Sequence, residues 1–336
     1  MSSDSYSVIH SIANSTTKNF LATIIQVEGS AYRKEGTMML FTENGEETGL
    51  LSGGCVEEDV LARMEMNKEV AHVIYDMRSE DDLSWGQGVG CDGSIHLLIE
   101  CITPLLQQDF CKAKELLDKG IDVSHFKVLD SDFKVTHSFF ISETGEKFGE
   151  NLHYPIEPSK YKNKLLVKNP FYDGYIFRND YISPPRLFIY GAGPDVLPVV
   201  RYAKGAGFHI ILADWREGLC NIEKFPLANE FIVANPKEAM EKIQLSTKDF
   251  VLIMTHNFTK DKELIDYLLF KELRFVGLLG SRKRGERLIG ASACPNWLHY
   301  PVGLSIAAEG PEEIAISIVA QLIMVKNKVS QKGKLR

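Results

Sequence analysis

Arg186-Leu187-Phe188-Ile189-Tyr190-Gly191-Ala192-Gly193-Pro194-Asp195-Val196 is the stretch on which the fold turns. Residues 187–190 form a continuous apolar run, as a strand buried on both faces requires. Gly191-Ala192-Gly193 then turns the chain into a helix predicted over 196–204. A second apolar run at 209–213 ends on Asp214, roughly twenty residues further on, the spacing of the acidic residue in dinucleotide-binding units. Further strands are predicted at 230–233, 250–254 and 275–279, separated by helical patterns. Alternation of this kind specifies a Rossmann-like, doubly wound parallel sheet over residues 184–330. The last helix, 312–324, is apolar on nearly every face, as a buried helix or subunit contact would be.

The glycine fingerprint departs from a working dinucleotide site in two ways. Val196 stands where a third glycine would bring helix and strand together. Asp195 places a carboxylate in the first helical turn, where a pyrophosphate would sit, and like charges disfavour binding there. Gly191, Gly193 and Asp214 are the cofactor-binding candidates of this unit, with NAD(P) disfavoured. Two other loops follow strands and so face the ligand crevice of such a sheet. Gly280-Ser281-Arg282-Lys283-Arg284-Gly285 offers three cations flanked by glycines, which suits a phosphate; the alternative is the start of a solvated basic helix. Ser281 and Arg282 are its binding candidates. In Thr255-His256-Asn257, His256 is a ligand, a proton donor or a hydrogen-bonded loop residue, and Asp261 lies just below it.

The N-terminal half reads differently. Residues 37–42 (Thr-Met-Met-Leu-Phe-Thr) form a strand, Glu43-Asn44-Gly45-Glu46 a hairpin turn and 48–51 the return strand. Leu51-Ser52-Gly53-Gly54-Cys55-Val56-Glu57-Glu58-Asp59 then presents a thiol where a helix begins, since Val56, Val60, Leu61 and Met64 recur at helical spacing. Glycines let backbone amides approach a ligand, and a helix N-terminus favours anions, including a thiolate. Cys55 is placed as a nucleophile or soft metal ligand would be, or as a small buried residue closing a strand–helix corner. A second loop, Trp85-Gly86-Gln87-Gly88-Val89-Gly90-Cys91-Asp92-Gly93, carries Cys91 into a strand-like run at 94–101. Two such loops in one segment favour a shared pocket.

Three regions result: 1–105, mixed α+β with both cysteine loops; 106–183, a small middle α+β subdomain and linker; and 184–330. An opening helix runs to Lys18, strands are expected at 20–27 and 71–75, and a helix at 105–117. The middle region shows short strand-like runs at 137–141 and 164–167 and no chemistry-bearing motif, so it reads as a spacer or dimerisation subdomain. Ser183-Pro184-Pro185 marks its end, because consecutive prolines favour an extended linker.

Composition excludes several classes. The 336 residues can bury two or three cores, and 38 basic against 45 acidic residues give a net charge of −7 with no long basic stretch, which argues against nucleic acid. No apolar run approaches membrane-spanning length, and the N-terminus lacks a signal-like pattern. Six cysteines, at 55, 91, 101, 111, 220 and 294, fit no C-x-x-C pair or disulfide scaffold. A cytoplasmic protein with reduced thiols is expected. The chain also lacks iron–sulfur sets such as C-x₄-C-x₂-C.

Gly29-Ser30-Ala31-Tyr32-Arg33-Lys34-Glu35-Gly36, the Ser-Gly-Gly-Cys-Val-Glu turn and the Gly-Val-Gly-Cys-Asp-Gly loop, in that order, resemble the N-terminal half of the XdhC/CoxI family. The C-terminal half is similar through residues 188–193, Met254-Thr255-His256-Asn257, Gly277-Leu278-Leu279-Gly280-Ser281-Arg282 and Pro301-Val302-Gly303-Leu304. Two-part members of this kind occur with purine catabolism. Family members commonly have histidine where Pro194 stands here. The resemblance implies an accessory protein, a chaperone more than an enzyme, that binds the molybdenum cofactor (molybdopterin), protects it during sulfuration and inserts it into xanthine dehydrogenase or a similar apo-hydroxylase. Amides at Gly53 and Gly54, with Arg33 or Lys34, would meet its anionic parts; Cys55 would approach molybdenum, with Cys91 secondary. The implied partners are that apo-enzyme, a cysteine desulfurase-type sulfurase and a second copy of the chain. The alternatives are an NAD(P)-dependent oxidoreductase or redox subunit, and a scaffold whose glycine loops are structural.

Overall fold

The computed structural model describes residues 4–65, 71–77, 93–150, 154–161, 165–290 and 294–332. The chain divides into two units, 1–183 and 184–336, at the prolines after Ser183.

The first unit begins with α1 (Asp4–Asn14), β1 (Asn19–Gly29), β2 (Met38–Thr42), β3 (Glu47–Gly49), α2 (Cys55–Glu65), β4 (Ala71–Asp76) and β5 (Gly93–Cys101). The strands make an antiparallel sheet in the order β3-β2-β1-β5-β4. After α3 (Pro104–Asp118) come β6 (Val123–Leu129), β7 (Val135–Ser142), β8 (Lys147–Gly149), β9 (Leu166–Lys168) and β10 (Tyr175–Tyr181), a second antiparallel sheet in the order β8-β7-β6-β10-β9. Strand alternation sends Ile95, Leu97 and Ile99 to a core under Val56 and Val60 of α2. Leu98 and Ile25 go to the opposite face, against Leu129 and Phe177 of the second sheet. Helices α1 and α3 close that space with Ile9, Ile12, Phe110 and Leu117.

The middle region thus supplies a complete second sheet, beyond the short runs its sequence suggests. Two central strands, β6 and β10, escape the pattern because they point polar side chains inward. Lys127 on β6 forms an ion pair with Glu100 on β5, both buried. His125 meets the Tyr181 hydroxyl at 3.0 Å and Ser138 Oγ at 2.8 Å. Burial pushes this imidazole down to about 3, so it is neutral. Asn179 donates to the Gly36 carbonyl at 3.0 Å. Lys127, His125 and Asn179 thus each have a polar partner, as burial demands.

The second unit contains β11 (Arg186–Tyr190), α4 (Val196–Gly205), β12 (His209–Asp214), β13 (Glu230–Val233), α5 (Pro236–Ile243), β14 (Phe250–Ile253), α6 (Phe258–Leu268), β15 (Phe275–Leu278), α7 (Arg282–Ile289), β16 (Leu298–His299) and α8 (Gly310–Lys332). All six strands are parallel, in the order β13-β12-β11-β14-β15-β16. This is the expected Rossmann-like sheet with one added short edge strand. Leu187, Ile189 and Leu252 pack under α4 and α8, while Phe188, Tyr190 and Val251 pack under α5, α6 and α7. The order reverses between β11 and β14, so the loops after these strands bound the crevice. On α8, Ala315, Ile318, Val319 and Leu322 are buried while the apolar Ile316 is exposed, so within the chain the helix is buried on one side only. Among the described residues no helix is long and apolar enough to cross a membrane.

The inward ion pair gives the first test. Burial pushes the Lys127 ammonium down, and its ion-pair partner Glu100 is buried beside it. Removing Glu100 strands a buried cation, so Glu100→Gln is expected to cost about 3–5 kcal/mol in urea unfolding. The double change Glu100→Leu with Lys127→Met should recover most of that loss.

Candidate functional site

The turn before α2 is shaped by a carboxylate. Glu57, third residue of the helix and buried, accepts from the Leu51 amide at 3.0 Å, the Ser52 amide at 2.6 Å and the Gly54 amide at 3.1 Å, and from the Ser52 hydroxyl. The reach from the third helical position to the capping amide is one half of a capping box. Burial opposes ionisation of Glu57, and the bonds from Ser52 and Leu51 outweigh it, leaving the carboxyl below its ordinary range. Gly54 has φ +124°, a conformation L residues avoid, and among the described residues a Cβ at Gly53 or Gly54 would meet nothing within 4 Å. Towards the described residues, one side of the turn is therefore open. Arg33 Nε donates to the Leu50 carbonyl at 3.0 Å, which brings this candidate to the base of the turn. Lys34 is exposed.

Cys55 is the first residue of α2; its described part is this backbone position. Cys91 lies outside the described residues. The amides expected to meet an anion are in part already taken: Leu51, Ser52 and Gly54 serve Glu57. The acidic residue at helix position three was the sequence signal for this arrangement.

At the crevice of the second unit the dinucleotide candidates have internal duties. Asp214, fully buried, accepts from the Ala192 amide at 2.8 Å and from Arg216 through its amide at 2.8 Å, Nε at 2.9 Å and Nη2 at 2.8 Å. Burial opposes ionisation, but the Arg216 fork and these amides hold the carboxyl below its ordinary range. A Cβ on Gly191 would lie 2.3 Å from the Met254 carbonyl, so this glycine lets the loop cross the end of β14. A Cβ on Gly193 would lie 2.5 Å from Asp195 Oδ1.

His256 faces Asp195 across the crevice, Nε2 to Oδ2 at 2.8 Å. Its φ of +58° is an uncommon conformation for a non-glycine residue. It is held there by its neighbours: the Asn257 amide donates to Thr255 Oγ1 at 2.9 Å, and Thr255 bonds the buried Asp261. Asp261 also accepts from Arg284 Nη2 at 2.6 Å. Ser281 accepts from the Arg284 amide at 3.3 Å and caps α7. The basic loop therefore divides: Arg282 and Lys283 are exposed, whereas Arg284 is drawn inward. Sequence reasoning singled out His256 and Asp195 separately and missed that they touch.

Among the described residues no three His, Cys, Asp or Glu side chains gather as a metal site would require. Cys220 is buried and donates to the Leu212 carbonyl at 3.4 Å, a packing role.

A parallel six-stranded Rossmann unit, joined to a unit whose glycine turn opens a helix on a cysteine, defines the class. Family models match accordingly: the XdhC Rossmann domain over residues 187–322, the XdhC and CoxI family over 13–67, and the BH1974-like central domain over 104–181. The chain is 40% identical over 315 residues to a probable xanthine dehydrogenase subunit of Bacillus subtilis (strain 168), covering 92% of this chain and 94% of that protein. A crystal structure described as a xanthine dehydrogenase from Bacillus halodurans is 43% identical, with a TM-score of 0.86, and the match covers 98% of this chain and 96% of that one. The uncharacterized protein YqeB of Escherichia coli (strain K12) is 37% identical over 152 residues, 43% of this chain and 28% of that protein. The chain belongs to the XdhC/CoxI family.

Two outcomes check this geometry. The folded pKa of Glu57 lies below the ordinary 4.5, so its contribution is present above that value and is lost as pH falls through the folded pKa. Glu57→Gln should cost about 1–3 kcal/mol at neutral pH, the scale of disturbing hydrogen bonds to a buried charged group. In denaturant unfolding followed with pH, the gap between wild type and variant should narrow on acidification. Arg284→Gln should lower stability by about 2 kcal/mol because it leaves Asp261 without its cation, while Arg282→Gln should leave the melting temperature unchanged.

Proposed function

We propose that this protein is an accessory factor for a xanthine dehydrogenase-type molybdenum hydroxylase, and that it holds the molybdenum cofactor before transfer to the apo-enzyme. The observation that carries the reading is the turn at residues 51–57. Its shape is set by Glu57 without a ligand, one side is open at Gly53 and Gly54, and it delivers a cysteine at the first position of a helix. The names of two of the relatives support the client class, since they refer to xanthine dehydrogenase. The chain itself has no iron–sulfur cysteine set, which favours an accessory role over the dehydrogenase activity itself.

The residues fit this cofactor at one end. A cysteine thiolate is a soft ligand suited to molybdenum or to sulfur handling, and a helix start favours the thiolate form. Open space at the two glycines leaves room for a bulky group beside Cys55. The cofactor's phosphate does not fit on the amides of Leu51, Ser52 and Gly54, because Glu57 already takes them and adds a negative charge. Arg33, at the base of the turn, and the neighbouring exposed Lys34 are the cations that would serve the anionic end. When bound, the cofactor supplies the redox-active metal centre; the chain's own residues position it and keep it until the client takes it. A sulfurase that loads the terminal sulfur and a second copy of the chain complete the reading, with no covalent turnover by this protein.

Purification from molybdate-replete cells tests this. Wild type should carry molybdenum and a fluorescent oxidised pterin. Cys55→Ala should lose about tenfold or more of both, the scale on which one group at a metal site acts. Cys111→Ala, whose thiol donates to the Ala13 carbonyl within α1, should retain them. Equal retention by a folded Cys55→Ala protein would remove Cys55 from the mechanism, and metal-free, pterin-free wild type would sink the reading.

A further inference from the structure

The N-terminal end of α4 carries an acidic residue that does not do what acidic residues there usually do. Asp195 is the N-cap of the helix, yet it sits in αR geometry (φ −71°, ψ −13°) and makes no capping bond. A capping aspartate would turn its carboxylate onto the helix amides. Here Oδ2 lies 2.8 Å from His256 Nε2 on the facing loop, and Oδ1 lies over Gly193, 2.5 Å from where a Cβ would stand. In dinucleotide-binding sheets the second glycine of the turn is bare so that the backbone can approach the pyrophosphate. In this chain the space above that glycine is filled by the chain's own carboxylate.

The surrounding donors agree. The Val196 amide bonds the Gly193 carbonyl at 3.0 Å and the Leu197 amide bonds the Pro194 carbonyl at 3.3 Å. Pro194 and Pro198 have no N–H to offer. The Ala192 amide is taken by Asp214. A helix start normally attracts anions through such amides; this one turns most of them inward and sets a carboxylate in front.

We infer that Asp195, clipped by His256, is a specificity-determining residue that occupies the pyrophosphate seat of the Rossmann crevice and turns phosphate-bearing ligands away from it. A ligand for this crevice must bring hydrogen-bond donors or positive charge to Asp195. The inference rests on the second unit alone, so it stands or falls independently of molybdenum binding at Cys55.

Calorimetry on the full chain with ADP-ribose as the probe tests it. Wild type should bind only at millimolar concentration or not at all. Asp195→Gly should bind at least about tenfold tighter, since a like-charge clash is removed and its space vacated. Asp195→Asn, which keeps the bulk and loses the charge, should fall between them. His256→Ala, which removes the clip but keeps the negative charge of Asp195, should gain much less than Asp195→Gly. Because Asp195 makes no capping bond, the variants should melt within a few degrees of wild type; should Asp195→Gly not fold, Asp195→Asn decides. Micromolar binding by wild type would overturn the inference. So would folded Asp195 variants that bind no tighter than wild type, or a His256→Ala protein that gains as much as Asp195→Gly.

Discussion

An ionised carboxylate cannot leave water unless hydrogen-bond donors follow it, and three buried carboxylates of this chain draw those donors from the loops of its candidate sites. Glu57 collects the amides at residues 51, 52 and 54. Asp214 collects the Ala192 amide and the Arg216 fork. Asp261 collects Thr255 and Arg284. All three are at most 5% exposed, so none can lose its donors cheaply. The loops of both units take their shape from these internal anions.

The consequence for function is a division of labour. Backbone amides that a glycine-rich loop would lend to a phosphate are largely engaged internally, so on the proposed function recognition would fall to what remains outward. In the first unit that is the open side of the turn at Cys55, with Arg33 and Lys34 nearby. In the second it is the Asp195–His256 couple and the exposed Arg282 and Lys283. A loop braced in this way is already in its final conformation when a ligand arrives, which saves the ordering cost of binding.

The sequence revealed most where side chains follow their ordinary environments. The strands of the second unit are continuous apolar runs, because both faces of a parallel sheet are covered, and they were legible at once. The hairpin and α2 followed from Glu43-Asn44-Gly45-Glu46 and from the spacing of Val56 and Val60. The second sheet of the first unit was largely hidden: His125, Lys127 and Asn179 point inward and break the apolar alternation by which strands are recognised. Their compatibility depends on partners distant in sequence, such as Glu100, Tyr181 and Gly36, which no local pattern shows. The site was similar. Cys55, Gly53 and Gly54 stand out locally, whereas the pairings Asp195–His256 and Asp261–Arg284 exist only because separate strands end at one crevice. Arg284 looked like a free cation for the same reason.

Amide hydrogen exchange at single-residue resolution tests the bracing most directly. If the buried carboxylates hold the loops without a ligand, the amides of Ser52, Gly54 and Ala192 in the ligand-free protein should exchange as slowly as those of β1 and β11. Exchange of these three at the rate of an open surface loop would contradict the account.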